Sequence, residues 1–402
     1  MKNIILLTID CLRQDALGMY GKRSGLTPFM DSLKDHCTLF LNAQAIGPYT
    51  QASFPGILTS SYALEYGWSP KCPPERVLVS EVMKKAGFMT AGFHSNPYLC
   101  GYFGWNRGWD IYVDSMKEKV TPQNPYLKGE ALNKKVESWL SFQGSGAGRK
   151  PIFLWLHYMD VHEPYIPARR YVDMVDESIR VEEEEMFALY REVLLKRDVS
   201  DPGKVALLKK LYDAHVREAD ECVERFFSIL KKLDLLENTT VILTADHGDE
   251  FNEHGSLSHD STMYSELVNI PLVVYDADFD GMTACPSVVS NVDIPPTIAH
   301  LGGGECPGVW KGRSFLPVAD CQEGDCFGEA KEKKGHSEPK TLPEAHYGRR
   351  GDLKIIYREG TDAWEMYDLA KDPGESENMV EGSPLADEMK EMIRPRIRRA
   401  SK

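Results

Sequence analysis

The chain has 402 residues, and 42% of them are hydrophobic, which is typical of a folded globular protein. Its formal net charge of −14 argues against a general nucleic-acid or anionic-membrane surface, because both kinds of surface require a basic face. Nine cysteines without a CxxC pair fit reduced thiols, so we expect a cytoplasmic protein.

Several apolar runs predict buried strands. The first is NIILLTID, which is apolar up to Asp10 and is typical of a parallel strand covered on both faces. It is too short for a secretion signal, and no run in the sequence approaches the roughly 18 apolar residues of a membrane span, so we expect no membrane anchor. The later runs are MTAGFHS, PIFLWLHYMD, TTVILTADHGDE and IPLVVYDAD.

Helical patterns lie between these strands. The clearest are TPFMDSLKDHC, TQASFPGILTSS, RVLVSEVMKKAGF and VALLKKLYDAHVREADECVERFFSILKKLDLL. The segment 177–209 is rich in charge, and we interpret it as a solvated helical insertion. Strands that alternate with helices predict an α/β fold with a mainly parallel central sheet.

The C-terminal part differs in composition from the rest. The segment 321–343 is polar and rich in Gly, Lys and Glu, which favours a linker or a long loop. After it, GDLKIIYREG and WEMYDLAKDPGE predict a hairpin and a turn, and PLADEMKEMIRPRI predicts a closing helix. We therefore expect a large α/β domain over 1–320 and a small α+β subdomain over 321–402.

Acidic and imidazole side chains stand at the ends of three predicted strands: Asp10, Asp160, Asp246 and His247. Open α/β sheets bind ligands in the crevice beyond the carboxyl ends of their parallel strands, so these side chains should meet there. A carboxylate beside an imidazole suits Mn²⁺, Zn²⁺, Fe²⁺ or Mg²⁺. Each residue alone has a plainer alternative, since Asp10 could cap a helix and Asp246 could form an Asx turn.

The stretch GPYTQASFPGILTS offers several hydroxyl groups that could act as a nucleophile. A hydroxyl needs help to lose its proton, and a metal ion at its oxygen supplies that help. The best position is just before a helix, whose N-terminus then faces an anion. Thr50 meets this description if the helix starts near Ser53, which would then be its N-cap. Thr59 and Ser60 would lie inside or after the helix.

The ordered set of motifs resembles the sulfatase family of the alkaline phosphatase superfamily over nearly the whole chain. The matching pieces, in order, are TIDCLRQDALGMYG, TPFMDSL, YTQASFPGILTS, GFMTAGFHSNPYL, GWNRGWDIYVD, LHYMDVHEPYIP, TTVILTADHGDEFNEHG, MYSELVNIPLVVY, NVDIPPTIAHLGG and MYDLAKDPGESEN. The resemblance implies a three-layer sandwich around a mostly parallel sheet. It also implies one divalent metal ion, which would be Mn, Zn, Ca or Mg, held by Asp10, Thr50, Asp246 and His247.

In this resemblance Thr50 takes the nucleophile position, where sulfatases proper have a Cys or Ser that is converted to formylglycine. Thr50 cannot be converted in this way. A Thr nucleophile instead resembles the phospho-transferring branches of the superfamily. The other departures are Cys11 for the second opening Asp, Ala52 and Phe54 for the downstream Pro and Arg, Ser95, Asn96 and Pro97 for a Lys-x-His segment, and His259 for a Lys.

Further side chains take roles by the same resemblance. His162 would reach the substrate, or a second metal ion together with Asp160. His259 would touch a substrate oxygen or act as general acid to the leaving group, which suits an imidazole near neutral pH. Arg13 would clamp a substrate oxygen or pair with Asp15, and Asn96 would hydrogen-bond the substrate. We expect His157 to be packed in its strand, and Asp249 and His254 to shape their loop.

These features predict metal-dependent cleavage of a phosphate ester, with a phosphodiester as the first choice and Thr50 as nucleophile. The first alternative is a sulfate ester, which shares the single negative charge and tetrahedral shape. Two others are transfer of a phosphoryl-alcohol group to a glycan or lipid, and a binding protein without turnover. The substrate would be an ester of a small molecule or a glycan rather than nucleic acid, and the oligomeric state is left open.

Overall fold

An eight-stranded sheet forms the centre of the protein in this computed structural model, which describes residues 1–21, 25–114, 118–143, 149–259, 262–318, 324–332 and 342–400. The strands of all the sheets in the described residues are, in chain order, β1 (Asn3–Ile9), β2 (Cys37–Gln44), β3 (Met89–Phe93), β4 (Ile111–Val113), β5 (Ile152–Tyr158), β6 (Thr239–Ala245), β7 (Glu250–Phe251), β8 (Leu257–Ser258), β9 (Leu272–Asp276), β10 (Thr283–Ser290), β11 (Cys326–Lys331), β12 (Glu344–Arg350), β13 (Leu353–Arg358) and β14 (Ala363–Asp368).

The central sheet has the order β10-β2-β9-β6-β1-β5-β3-β4. Strand β9 runs antiparallel to both of its neighbours, and the other pairings are parallel. The predicted α/β class with a mostly parallel sheet is therefore confirmed. Strand β1 lies between β5 and β6, and Ile9 pairs with both Tyr158 and Ala245. This register brings the carboxyl ends of three strands to one place.

Helices cover both faces of the sheet. As a result, every residue of β1, β5 and β6 is buried. The helices are α1 (Pro28–Ser32), α2 (Thr50–Thr59), α3 (Val79–Lys85), α4 (Gly129–Phe142), α5 (Arg169–Val175), α6 (Glu183–Leu189), α7 (Pro202–Lys232), α8 (Ser265–Val268), α9 (Ile294–Leu301) and α10 (Ala386–Ala400). One group packs α7 against α1, α4 and α5, and another packs α9 against α2 and α3. Within the described ranges, we find no helix with the length and apolar composition that a bilayer crossing requires.

Helix α2 begins three residues earlier than the sequence predicts. Tyr49 is the extended residue before it, and the Tyr49 carbonyl accepts the backbone N–H groups of Ala52 and Ser53. Ser53 is not a cap, because its hydroxyl donates to the Asp246 carbonyl at 2.6 Å. Thr50 is consequently the first residue of the helix, at its positive end.

The C-terminal part forms a second, antiparallel sheet of order β11-β12-β13-β14, with α10 packed on β12 and β13. The predicted hairpin is β13–β14, and the predicted closing helix is α10. The linker prediction is wrong for Cys326–Lys331, which forms β11 and pairs along its length with β12. The expected boundary between residues 320 and 321 lies outside the described residues.

This second sheet packs against the segment that carries Thr50. The Tyr347 hydroxyl donates to the Ala45 carbonyl at 2.6 Å, and the Glu329 N–H donates to the Ile46 carbonyl at 2.8 Å. The Tyr49 hydroxyl donates to the Lys331 carbonyl at 3.0 Å. Residues 45–49 are thus fixed by the C-terminal sheet immediately before α2 starts.

Candidate active site

Two carboxylates and an imidazole meet beyond the ends of β1 and β6. Asp10 follows β1, and Asp246 and His247 follow β6; all three side chains are fully buried. His247 Nε2 lies 3.5 Å from Asp10 Oδ1 and 3.5 Å from Asp246 Oδ2. Asp246 Oδ2 and His247 Nε2 have no hydrogen-bond partner within the described chain. Buried polar atoms without hydrogen bonds need another partner. Because oxygen and nitrogen donors converge here, a divalent metal ion fits that need.

The charges of this group also favour a cation. Burial raises the pKa of Asp246 to about 7, and the neighbouring Asp10 carboxylate adds to that shift. Burial works in the same direction on Asp10, but contact with His157 and the nearby imidazoles hold the pKa of Asp10 well below its usual value. Burial lowers the pKa of His247 to about 4, so this ring is neutral and able to bind a metal. A divalent ion would let both carboxylates stay ionised.

The Thr50 hydroxyl joins this group. Its Oγ1 donates to Asp10 Oδ2 at 3.3 Å, and the side chain is almost fully buried. Asn96 completes a triangle, because its amide donates to Asp10 Oδ2 at 3.0 Å and to Thr50 Oγ1 at 3.4 Å. The structure therefore brings the predicted nucleophile, one predicted metal ligand and one predicted substrate ligand into direct contact.

His259 reaches the same place from the loop after β8. Its Nδ1 lies 2.7 Å from Asp249 Oδ1, and the other Asp249 oxygen accepts the Tyr165 hydroxyl. Its ring centroid is 4.6 Å from that of His247 and 5.2 Å from that of His162. Asp249 thus orients the His259 ring. We expected Asp249 to shape its loop, and the sequence did not predict this contact.

His157 is a second residue whose role the sequence did not reveal. It is packed inside β5 as predicted, stacked on Trp155, yet its Nε2 lies 3.3 Å from Asp10 Oδ2. Its Nδ1 lies 2.8 Å from Thr8 Oγ1 on the neighbouring strand, which fixes the ring orientation. The available signal was position: a histidine near the end of an otherwise apolar strand that pairs with the strand of Asp10.

Two residues named in the sequence analysis, Arg13 and Asp160, form their hydrogen bonds outside the group of Asp10, Asp246 and His247. Arg13 follows the second of its two alternatives, because Nε and Nη2 donate to Asp15 at 2.9 Å and Nη1 donates to Glu253 at 2.6 Å. Asp160 does not join the metal-binding group, since both of its oxygens accept the Gly129 N–H, at 3.0 and 2.7 Å. A second metal site with Asp160 and His162 stays a prediction, and His162 lies close to Asp10 in a group of potential metal ligands.

Comparison with known proteins identifies the relatives of this site and fold. A family model described as "Sulfatase" matches residues 2–304, and one described as "N-sulphoglucosamine sulphohydrolase, C-terminal" matches residues 252–402. An N-acetylglucosamine-6-O-sulfatase of Bacteroides thetaiotaomicron is 23% identical over 97% of this chain and 85% of its own length. Arylsulfatase K of Canis lupus familiaris is 24% identical over 95% of this chain and 79% of its own length.

Solved structures show the same fold. A protein in complex with its substrate D-glucosamine-2-N,6-O-disulfate is 20% identical, with a TM-score of 0.79 over 100% of this chain and 98% of that one. The phosphonate monoester hydrolase of Agrobacterium radiobacter is 17% identical, with a TM-score of 0.78 over 100% of this chain and 96% of that one. Since the first family model spans most of the chain and the fold agrees throughout, this chain belongs to the sulfatase family and is an ester-hydrolysing enzyme.

Proposed function

We propose that this chain hydrolyses sulfuric esters of a small molecule or a glycan, with a divalent metal ion and with Thr50 as nucleophile. The relatives that support this choice are mainly named sulfatases, and the names of several specify sulfated sugars. Sulfate esters, the first alternative from the sequence, therefore rank above phosphodiesters. The observation that carries the proposal is the contact of Thr50 with Asp10 and Asn96 beside the buried Asp246 and His247.

A divalent ion held by Asp10, Asp246 and His247 would lower the pKa of the Thr50 hydroxyl and offset charge on the transferred group. The chain's own residues do the rest of the positioning. Thr50 sits at the first position of the ten-residue helix α2, whose positive end faces an incoming sulfate. Asn96 donates to Thr50 Oγ1 and can follow that oxygen as it attacks.

In the first step the Thr50 hydroxyl loses its proton to water, and Oγ1 forms a bond to sulfur while the bond from sulfur to the ester oxygen breaks. The leaving oxygen needs a proton, and His259 supplies it. Because Asp249 holds Nδ1, proton exchange falls to Nε2 of that ring. Burial works to raise the pKa of Asp249, but the adjacent His259 keeps this pKa below its usual value. The Asp249 carboxyl therefore stays ionised beside the ring.

In the second step water attacks the sulfur of the sulfated Thr50, the bond from sulfur to Oγ1 breaks, and Oγ1 takes up a proton from water to restore the hydroxyl. The neutral His259 now accepts the proton that water loses, which returns the ring to its starting state. His162, which faces His259 edge to face, lines the side from which the leaving group departs and water arrives.

Cleavage of a phosphonate monoester or phosphodiester is the second candidate. One observation favours it specifically: Thr50 is a secondary alcohol that cannot become formylglycine. Two phosphonate monoester hydrolases are among the structures with this fold. Both substrate classes present a tetrahedral monoanion, so the same residues would serve either reaction.

The discriminating experiment compares rates on three aryl esters with the same leaving group: a sulfate, a methyl phosphonate and a phosphodiester. The metal-loaded protein, Thr50→Ala and Thr50→Ser are assayed in parallel. We expect fastest turnover of the sulfate, loss of all turnover in Thr50→Ala and partial retention in Thr50→Ser. Faster turnover of either phosphorus ester would replace the sulfate proposal by the second candidate. Unchanged turnover in Thr50→Ala would contradict the role of Thr50.

A further inference from the structure

Cys11 occupies a strained backbone position directly beside the metal-binding group. Its φ is +60°, a left-handed conformation that strains the backbone of a non-glycine residue. Two contacts hold it there: the Tyr212 hydroxyl donates to the Cys11 carbonyl at 2.9 Å, and the Cys11 N–H lies 3.4 Å from Asp246 Oδ1. The side chain is fully buried. The surroundings therefore impose a conformation that aims this thiol at the site.

The Cys11 sulfur lies beside one of the ligand atoms already described, Asp10 Oδ1, and near the rings of His247 and His259. Its Sγ is 3.2 Å from Asp10 Oδ1, 3.7 Å from His259 Nδ1 and 3.9 Å from His247 Nδ1. Cys11, His247 and His259 form one group of potential metal donors, which shares His247 with the group of Asp10 and Asp246. The buried His247 Nε2 and Asp246 Oδ2, which lack hydrogen-bond partners among the described residues, point to a ligand at this place.

The separations are close to those between neighbouring ligands of a small ion such as Zn²⁺. Zinc bonds of about 2.0–2.1 Å to oxygen or nitrogen and about 2.3 Å to sulfur place neighbouring ligand atoms roughly 3.3–3.8 Å apart. The observed separations from Asp10 Oδ1 are 3.2 Å to Cys11 Sγ and 3.5 Å to His247 Nε2. A Ca²⁺ ion takes six to eight oxygen ligands, so a sulfur donor suits it poorly.

We propose that the Cys11 thiolate is a direct ligand of the metal ion and that it makes this centre select Zn²⁺ or Co²⁺ over Ca²⁺ and Mg²⁺. Soft thiolate donors favour the former ions, whereas the latter prefer oxygen. When the sulfur–metal bond forms, the S–H bond breaks and its proton leaves to water. This inference rests on the metal site of the proposed function and adds the identity of one ligand and of the metal.

The test is optical titration of the metal-free protein with Co²⁺. A cobalt–thiolate bond produces a charge-transfer band in the near ultraviolet, separate from the visible bands that any protein-held cobalt shows. We expect both sets of bands in the unaltered protein and only the visible bands in Cys11→Ser. Cys222→Ser is the matched control, because Cys222 is also buried beside an aspartate, Asp160, yet lies outside the group. It should keep the charge-transfer band.

A second variant keeps the inference testable if Cys11→Ser folds poorly. Asp tolerates the left-handed conformation better than most residues, so Cys11→Asp should fold and bind. We expect its Zn²⁺ affinity to fall about tenfold or more and its Ca²⁺ affinity to rise. Visible cobalt bands without a charge-transfer band in the unaltered protein would overturn the role of Cys11 and leave the metal site intact. Failure to bind Co²⁺ or Zn²⁺ at all would overturn both.

Discussion

At the scale of single residues, the site works through pairs in which one side chain orients another. Asp249 and His259 are the clearest pair, with 2.7 Å between carboxylate and imidazole nitrogen, and both are buried. The carboxylate fixes the ring's tautomer and stabilises its protonated form, which is the form that donates to a leaving group. In the proposed mechanism, Asp249 is thus a positioning residue that acts through His259.

Replacing Asp249 by Asn should lower kcat by about 10²- to 10⁴-fold for esters with poorly acidic alcohols, because their oxygen depends on the His259 proton. Esters of acidic phenols should lose much less. The measurement is kcat for a series of sulfate esters that differ in leaving-group pKa. An equal loss across the series would mean that Asp249 has a structural role only.

Replacing His157 by Phe should weaken metal binding by about 10- to 100-fold while kcat at saturating metal stays nearly unchanged. The cause is loss of the contact that orients Asp10, an effect of the size found for residues behind metal ligands. His94→Phe is the control, since His94 stacks on the same Trp155 ring with centroids 5.3 Å apart. Metal affinity is measured by competition with a chelator. Equal affinities in the two variants would contradict this account.

The positions of site residues were predictable where strand order alone sets them. Asp10, Asp246 and His247 stand at the ends of adjacent parallel strands, and their meeting follows from the α/β pattern. Asp249 was not predictable in its role, because its partner His259 returns to it only through the loop that the short β7–β8 pairing closes. His157 is packed in its strand, as its sequence indicates. Its additional contact with Asp10 depends on the exact register that pairs His157 with Thr8.

At the scale of elements, the long helix α7 supports the loop that carries His162. His215 on α7 accepts the Ile166 N–H through Nε2 at 2.9 Å, and its Nδ1 lies 3.0 Å from Glu218 and 3.5 Å from Lys128. Burial lowers the pKa of His215 to about 4, and the Lys128 charge adds to the effect. The His215 ring is therefore neutral at neutral pH, which is the form that can accept the Ile166 N–H.

This burial predicts a pH dependence of stability. A histidine whose folded pKa is depressed contributes full stability above its unfolded pKa of about 6.5 and loses it as the pH falls towards about 4. Between pH 7.5 and pH 5 the loss from His215 should be about 2 kcal/mol of unfolding free energy. Urea unfolding at the two pH values measures it.

His215→Gln keeps an acceptor for Ile166 without a titrating ring, so it should remove that part of the pH dependence. His300→Gln, at an exposed position, should leave it unchanged. If His215→Gln shows the same loss between pH 7.5 and pH 5 as the unaltered protein, the burial argument is contradicted.

Element boundaries were less predictable than element types. The sequence placed the start of α2 near Ser53, because a serine before an apolar turn is typical of an N-cap. In the fold, Tyr49 precedes the helix and is fixed through the Lys331 carbonyl on a strand far along the chain. Strand β11 was missed for a related reason: its polar sequence CFGEAK becomes a strand only through pairing with β12.

At the scale of the whole molecule, the C-terminal sheet belongs to the same structural unit as the active site. Buried residues of β11 and β12, including Ala330 and Tyr347, are part of the main hydrophobic core together with residues of β1 and β5. Glu329 also accepts the Leu64 N–H at 2.7 Å, just after α2. The C-terminal sheet therefore fixes the chain on both sides of α2, the helix that begins with Thr50.

Tyr347→Phe should reduce the free energy of unfolding by about 1–3 kcal/mol, because the buried Ala45 carbonyl loses its hydrogen bond. It should also lower kcat, since residues 45–49 lead into Thr50. Tyr357→Phe, with a hydroxyl near the exposed Asp362, is the control and should change neither quantity. Urea unfolding should show one transition; two separate transitions would contradict a single cooperative unit.

If Thr50 attacks the ester sulfur, a covalent sulfated enzyme forms during turnover and can be trapped. Metal-loaded protein is mixed with an aryl sulfate, quenched during turnover, digested and analysed by peptide mass spectrometry. We predict a sulfo group on Thr50 in the unaltered protein and its absence in Thr50→Ala, together with loss of turnover. A sulfo group on a different residue, or full turnover in Thr50→Ala, would show that Thr50 is not the nucleophile.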